Sequence, residues 1–290
     1  VSEEEGDFVD ALVRLRGKEA SLNGDPWPPK LSIDLARAHD VSAAASELQD
    51  KPHVAADPTP IPDPAANTFH ALAMIALARK DWKSAIRNLS AEIAEAGATA
   101  AKEHEDDKAL VVREIDPLLA WAYAASGDQA KADAILRNLP ADCYRCARMH
   151  GRVRAIEHAW GAAAYWFGVA VMQAPSPPFA YADWGDMLLQ KGDFDGAIAK
   201  FKLANDKGPH FADPLEMWGE ALIAKNRSDL ALTKFEGAAK YAPNWGRLHL
   251  KWGEALRWSG DKGGAHKQFT TAAHLDLSKA ERTELARLQF

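Results

Sequence analysis

Residues 184–201 read WGDMLLQKGDFDGAIAKF, and the Trp-Gly-acid triplet that opens them occurs twice more, at residues 218–220 and 252–254. Successive copies are spaced by 34 residues. Self-similarity at a fixed period of this length is the signature of a repeat architecture, in which each unit buries its apolar face against its neighbours. The period therefore predicts a chain built from repeated structural units.

The register of the repeat continues beyond the triplet. Each copy has Ala thirteen residues after the Trp, Phe four residues later and a second Ala three residues after the Phe. Counting back by the same period gives a fourth copy, whose Trp is replaced by His150. The recurring residues are Ala163, Ala197, Ala231 and Ala265; Phe167, Phe201, Phe235 and Phe269; Ala170, Ala204, Ala238 and Ala272; and Pro175, Pro209 and Pro243, with Leu277 in the last copy.

Each copy has the spacing of two helices separated by a turn. Apolar residues recur at intervals of three and four, as Trp184 and Leu188 do, which is typical of an amphipathic helix. The residues between the two runs are Gly-Asp at 192–193 and at 260–261. The Gly ends one helix and the Asp caps the next. Asn226 takes the Gly position of the middle copy, and Asn also tolerates the left-handed backbone conformation. Each copy is predicted to be a helical hairpin.

Over residues 145–278 this unit resembles the tetratricopeptide repeat. The family has a small residue in the first helix, then Ala, an aromatic residue, Ala and Pro. This pattern falls on Gly185, Ala197, Phe201, Ala204 and Pro209. The resemblance implies an all-α fold, an α-solenoid of stacked antiparallel helix pairs. The chain departs from the family at one position, where the usual Trp is replaced by Tyr181, Leu215 and His249. This departure implies one repacked layer within the same fold.

Weaker copies of the unit extend the array toward the N-terminus. We expect N-terminal helices with a degenerate or capping repeat in residues 1–51, a Pro-rich connector in residues 52–65, and two divergent repeats in residues 66–140. Four repeats then occupy residues 141–278. Ser278 and Glu281 have the spacing of a capping box, so residues 279–290 are predicted to form a helix that covers the end of the stack.

Composition excludes several classes of function. The net charge of −6 argues against general nucleic-acid binding, which needs a surplus of Lys and Arg. An apolar run of membrane-spanning length is absent from the sequence, so membrane insertion is not expected. A secretory signal is also absent, which favours a cytoplasmic protein, and the Ala-rich composition suggests a bacterial source. Since the chain opens with Val1, we expect a processed form or a piece of a longer protein.

Catalytic motifs are missing from the sequence. The nucleophile elbow, the HExxH zinc motif and the phosphate loop are all absent, and residues 260–264 resemble a phosphate loop only in their Gly content. His150 stands in a position that is packed in the other repeats, so we expect it to be packed as well. These observations predict a protein that is not an enzyme and needs no cofactor.

The two cysteines, Cys143 and Cys146, form a C-x-x-C motif at a predicted helix start. They are interpreted in three ways: as buried structural thiols, as a local disulfide with a redox role, or as metal ligands together with His150. A helix start and a neighbouring Arg lower the pKa of a thiol, which favours reactivity. A fourth metal ligand is not evident in the sequence, and the alternation of strands and helices that a thioredoxin-like motif requires is absent.

The resemblance implies that the first helices of the repeats line a concave groove that holds a partner segment. The groove positions with charged side chains are Arg145, Arg148, Arg152, Asp186, Asp213, Glu216, Glu220 and Glu254. One end of the groove is therefore expected to be basic and the following repeats acidic. Such charges also occur on ordinary solvated helix surfaces.

Three functions from different classes follow from these features. The leading interpretation is an interaction scaffold that binds a protein or peptide segment in the groove, with positive charge on the partner facing the acidic repeats. The second is the sensor or regulatory part of a larger signalling protein. The third is a redox-responsive or metal-responsive protein that uses Cys143 and Cys146.

Overall fold

The computed structural model describes residues 39–49, 64–100, 108–109 and 111–288, and every regular element in these ranges is a helix. The α-helices are α1 (Val41–Gln49), α2 (Pro64–Ala78), α3 (Trp82–Ala100), α4 (Asp116–Ser126), α5 (Gln129–Leu136), α6 (Tyr144–Ile156), α7 (Trp160–Gln173), α8 (Phe179–Lys191), α9 (Phe194–Lys207), α10 (Ala212–Ala224), α11 (Ser228–Ala239), α12 (Gly246–Trp258), α13 (Lys262–Ala273) and α14 (Lys279–Leu288). A π-helical turn, Val111–Ile115, precedes α4. The predicted all-α fold is confirmed.

The helices pack as consecutive antiparallel pairs within two compact units. The N-terminal unit contains the described residues of 43–174, with the hairpins α2–α3, α4–α5 and α6–α7. The C-terminal unit contains residues 39–42 and 175–288, with the hairpins α8–α9, α10–α11 and α12–α13, followed by α14. Residues 1–38 of the predicted N-terminal helices and residues 52–63 of the predicted connector lie outside the described residues.

The turns inside the hairpins have the predicted chemistry. Gly192 and Gly260 adopt the left-handed conformation, with φ of 85° and 90°, and Asn226 takes the same conformation with φ of 56°. The Asp193 carboxylate then accepts a hydrogen bond of 3.0 Å from the backbone N–H of Gly196, which caps α9. The Asp261 carboxylate caps α13 in the same way. The sequence of each turn therefore fixes where one helix ends and the next begins.

The repeated glycines allow the ring of the repeated Phe to lie against the first helix of each hairpin. A Cβ added to Gly219 would lie 2.6 Å from Phe235 Cζ, and one added to Gly151 would lie 2.5 Å from Phe167 Cε1. The other two copies show the same contact: Gly185 with Phe201, and Gly253 with Phe269. Real Cβ atoms do not approach carbon atoms this closely, so Gly is required at all four positions.

The Trp residues beside Gly185 and Gly219 pack across the hairpin against the lysine that precedes the Phe. Lys200 Nζ lies 3.5 Å from the centre of the Trp184 ring, and Lys234 Nζ lies 3.7 Å from that of Trp218. The burial that accompanies this cation–π packing lowers the pKa of both lysines. In the α6–α7 hairpin the partners are reversed, because His150 stacks on Trp166 with ring centres 4.0 Å apart. The residues that replace the family's usual Trp are Tyr181, Leu215 and His249, and all three are buried.

The last helix closes the final hairpin. Ser278 and Glu281 form the predicted capping box: the Ser278 N–H donates to the Glu281 carboxylate at 2.8 Å, and the Glu281 N–H donates to Ser278 Oγ at 3.3 Å. Leu285 of α14 belongs to the same buried cluster as Leu250 and Phe269. The capping helix therefore covers apolar surface that a further repeat would otherwise bury.

We expect Gly219→Ala to destabilise the protein by about 1–3 kcal/mol, because the new methyl group must displace the buried Phe235 ring. Thermal unfolding followed by circular dichroism would measure the loss. Gly237→Ala is the matched control in the same hairpin, since its Cβ would lie at an ordinary 3.6 Å from Leu215 Cδ1. The control should be neutral or slightly stabilising, because Ala favours a helix by up to about 1 kcal/mol over Gly. Equal effects of the two substitutions would contradict the packing argument.

Candidate functional site

The first helices of the C-terminal unit are neighbours along one side: α8 contacts α10, α10 contacts α12, and α12 contacts α14. The groove residues predicted from the sequence lie on these helices, with Asp186 on α8, Asp213, Glu216 and Glu220 on α10, and Glu254 on α12. We call these five residues the carboxylate face. The fold therefore places on neighbouring helices acids that lie up to 68 positions apart in the sequence.

An arginine of the next repeat neutralises the centre of the carboxylate face. The side chain of Glu216 is fully buried, and Arg247 Nε lies 3.1 Å from its Oε1. The same guanidinium group is bonded to the Glu220 carboxylate and lies 3.6 Å from Glu281 of α14. Because these carboxyl groups surround it, the pKa of Arg247 is raised, although burial acts against this rise.

The pKa values of Glu216 and Glu220 shift in opposite directions because their surroundings differ. Burial raises the pKa of Glu216 well above its usual range, and the negative charge of Glu220 raises it further. Arg247 offsets only part of this rise. The pKa of Glu220 is lowered, because the attraction of Arg247 and Lys251 outweighs the effect of burial. Opposite shifts of this kind are expected for two carboxyl groups that share one site.

A second cation lies on α12. Lys251 Nζ is 3.0 Å from Glu254 and also bonds to Glu284 of α14. The pKa of Lys251 is raised by the charge of Glu220 and by its bonds to Glu284 and Glu254, although burial opposes this rise. The capping helix therefore contributes two carboxylates, Glu281 and Glu284, to the same cluster.

The cluster keeps a surplus of negative charge after internal pairing. Arg247 and Lys251 face five carboxyl groups: Glu216, Glu220, Glu254, Glu281 and Glu284. Even without a charge on Glu216, the four other carboxylates outnumber the two cations. The side chains of Glu220, Glu254 and Glu284 are 20%, 22% and 34% exposed, so part of this charge is accessible from the solvent.

Sequence reasoning missed the pairing of Arg247 with these acids, and it missed Lys251 and the part that the two acids of α14 play in the cluster. Arg247 lies one 34-residue period after Asp213, and aligning the repeats places it beside α10. That alignment was a usable signal for the pairing of Arg247 with Glu216 and Glu220. Lys251 and Glu284 carry no such signal, because α14 lies outside the repeat register and only tertiary packing brings it to α12.

The predicted basic residues lie in the N-terminal unit, on α6. Arg145 Nε is 2.7 Å from the Glu114 carboxylate. The guanidinium group of Arg152 lies 3.7 Å from the centre of the Trp121 ring, and that of Arg148 lies 5.7 Å from the Tyr144 ring. A carboxylate and two aromatic rings thus contact these three cations, which all lie on α6. We call Arg145, Arg148 and Arg152 the basic patch.

The cysteines of the C-x-x-C motif are joined by a disulfide bond at the start of α6. Cys143 is the N-cap residue, and its sulfur accepts a hydrogen bond of 3.1 Å from the backbone N–H of Cys146. Both residues are buried. Of the three interpretations, the structure therefore contains the local disulfide, while a redox role for it stays a prediction.

His150, the third residue of the metal interpretation, is packed as expected. Its ring is stacked on Trp166, and burial, together with the nearby charge of Arg154, lowers its pKa to about 4. Within residues 39–49, 64–100, 108–109 and 111–288, we find no group of three or more His, Cys, Asp or Glu side chains placed to hold a metal ion.

We expect Glu216→Gln to reduce the loss of stability that occurs as the pH rises above 4.5. Above its ordinary pKa of 4.5, the unfolded chain releases the Glu216 proton while the folded chain retains it. The free energy of unfolding therefore falls as the pH rises toward the raised pKa. The Gln side chain is neutral throughout and carries no such penalty next to Glu220, Asp213 and Arg247.

Melting temperatures measured between about pH 5 and pH 8 would show this effect as a smaller decline for the variant than for the original chain. Glu254→Gln is the control, because it removes an acid that is partly exposed on the same face and should leave the decline unchanged. Parallel curves for the original chain and Glu216→Gln would refute the protonated state of Glu216.

We expect Cys143 and Cys146 to resist alkylation in the native protein purified without reductant. The intact mass should be lower by two hydrogen atoms than that of the reduced chain, because both sulfurs are in the bond. Both cysteines should be alkylated after denaturation and reduction. Labelling of either cysteine before reduction would show that the disulfide is absent from the purified protein.

Comparisons with known proteins relate the chain to proteins of one fold. Neither a protein-family model nor a curated protein sequence matches it. The chain is similar in structure to the Cut9–Hcn1 hetero-tetramer of the APC/C, with a TM-score of 0.53 and 14% identity over 98% of this chain and 53% of that one. It is also similar to PilF of Pseudomonas aeruginosa, with a TM-score of 0.51 and 16% identity over 61% of this chain and 84% of that one.

A third similar structure is YrrB, which is described as a TPR protein with an unusual peptide-binding site. The TM-score is 0.44 and the identity 13%, over 64% of this chain and 98% of YrrB. No helix of the described residues is long and apolar enough to cross a membrane. The helix pairs, the 34-residue register and the likeness to the Cut9–Hcn1 and PilF structures lead to one conclusion: the chain has the all-α solenoid fold of a tetratricopeptide-repeat-like protein.

Proposed function

We propose that the chain is a non-enzymatic scaffold that binds a protein segment along its first helices. The observation that carries this proposal is the carboxylate face, where partly exposed acids from successive repeats lie on neighbouring helices. Acids in such a row reinforce each other's field. Packing of the hairpins does not require them, because the core of each hairpin is formed by the Gly–Phe and Ala contacts.

The charge of the carboxylate face favours a partner segment with Lys or Arg residues. Asp186, Glu220 and Glu254 are the residues that we expect to contact the partner, since part of each side chain is exposed. Glu216 is fully buried, so we do not expect it to contact the partner. Complementary charges of this kind act mainly on specificity and on the rate of association.

Structural relatives are consistent with a role in assembly. The Cut9–Hcn1 structure is a hetero-tetramer, so that protein of similar fold binds other chains.

In the N-terminal unit, the basic patch of Arg145, Arg148 and Arg152 is proposed to bind carboxylates of a partner. A bacterial source and a cytoplasmic location stay predictions from the sequence.

We expect the full chain to select basic segments from an array of immobilised peptides of varied net charge. Binding to peptides rich in Lys and Arg should exceed binding to peptides rich in Asp and Glu. It should also weaken as salt is raised, because screening acts within about 8 Å at physiological ionic strength. The double variant Asp186→Asn, Glu254→Gln should lose most of this preference.

The control variant is Asp206→Asn, Glu236→Gln. It changes the net charge by the same amount, but on exposed positions of the second helices α9 and α11. This variant should bind as the original chain does. The proposal is wrong if the array shows no preference for basic peptides, or if both double variants weaken binding equally.

A further inference from the structure

The four residues 39–42, with the sequence His-Asp-Val-Ser, lie in the C-terminal unit although they precede it in the chain by more than 130 positions. The His39 ring stacks on Trp245 with ring centres 3.7 Å apart and planes inclined by 4°. His39 Nε2 also lies 2.9 Å from Asp213 Oδ2. The His39 ring thus contacts Trp245 through its face and Asp213 through the nitrogen at its edge.

The following residues of the segment are held as well. The Asn244 side chain donates a hydrogen bond of 2.9 Å to the Asp40 carboxylate, and Ser42 Oγ donates one of 2.6 Å to the Asp276 carboxylate. Val41 is buried, with 5% of its surface exposed. We call Asp213, Asn244, Trp245 and Asp276 the edge site, because they lie in the first turn of α10 and just before α12 and α14.

The repeat itself does not require the residues of the edge site. One 34-residue period earlier, the corresponding positions hold Phe179, His210, Phe211 and Ala242. None of these four residues could provide both the carboxylates and the amide that hold the segment. The edge site therefore has a composition of its own, which the packing of the hairpins does not explain.

The turn in which His39 lies does not require a histidine either. His39 has a left-handed backbone, with φ of 61°. Gly127, Gly192 and Gly260 hold this conformation in three other turns, and Lys80, His158 and Asn226 hold it in three more. The conformation therefore accepts several residue types, although Gly adopts it with the least strain. What a histidine adds at this position is its pair of contacts with Trp245 and Asp213.

We propose that the edge site is a peptide-recognition site that the chain's own segment 39–42 occupies. The site fits a segment with a planar, hydrogen-bonding ring, a carboxylate on the next residue and a hydroxyl two residues after that. While the segment is bound, it withholds the Asp213 carboxylate from any other partner of the carboxylate face. The occupant is the segment of the same chain, and the inference holds whether or not basic peptides bind elsewhere on that face.

The position of the segment can be tested by crosslinking in the full chain. We expect the double variant Ser42→Cys, Asp276→Cys to be joined by a short bis-maleimide within one molecule, which a mobility shift on a denaturing gel and the intact mass would show. Ser42→Cys, Asp206→Cys is the control and should not be joined, because Asp206 is on α9 and outside the edge site. Failure of the first pair to react, or a link between two molecules, would overturn the proposal.

Recognition by the site can be tested with a fluorescein-labelled peptide of residues 36–49 added to the full chain. The variant His39→Ala, Ser42→Ala should bind this peptide at least about tenfold more tightly than the original chain, because occupation by the chain's own segment lowers the apparent affinity by the fraction of open sites. Adding Trp245→Ala to that variant should abolish the gain. A control peptide with Ala in place of His39 and Ser42 should not bind.

Two results of the peptide experiment would overturn the proposal. One is equal binding of the peptide to the original chain and to His39→Ala, Ser42→Ala. The other is a gain in binding that survives Trp245→Ala. Circular dichroism would show that each variant is folded. Asp213→Asn, added to His39→Ala, Ser42→Ala, is a milder change than Trp245→Ala and should also weaken binding of the peptide.

Discussion

The contact between a glycine of the first helix and a phenylalanine of the second is the constraint on which the four central hairpins depend. Because Gly151, Gly185, Gly219 and Gly253 leave no room for a Cβ atom, the Phe ring fixes both the distance between the two helices and their register. Each hairpin then presents the same faces at the same positions. The carboxylate face and the capping of the last hairpin both depend on this repeated geometry.

Electrostatics in the C-terminal unit shows how a row of repeated acids can be kept inside a stable fold. Arg247 and Lys251 lie among the acids, and burial raises the pKa of Glu216, which favours its neutral form. A buried charge without a partner would be strongly unfavourable. Internal pairing leaves a smaller accessible charge on Glu220, Glu254 and Glu284, and this remainder sets the proposed preference for a basic partner.

The edge site adds a layer of selection to this scaffold. Its residues depart from the repeat at four positions, and each departure contacts the segment 39–42. Since Asp213 belongs both to the carboxylate face and to the edge site, binding of the segment and binding of another partner are coupled through a single carboxylate. Competition of this kind would let the proposed scaffold regulate its contacts.

The sequence by itself determined the helical hairpins, their 34-residue register, the turns at Gly192, Asn226 and Gly260, and the capping box of α14. Each of these features depends on backbone conformation or on neighbours within one repeat, which local patterns report directly. Only the tertiary structure decided that Glu216 is fully buried beside Arg247, that α14 supplies Glu281 and Glu284, and that His39 stacks on Trp245. These contacts join residues of different repeats or lie outside the repeat register, so their positions depend on how whole helices pack.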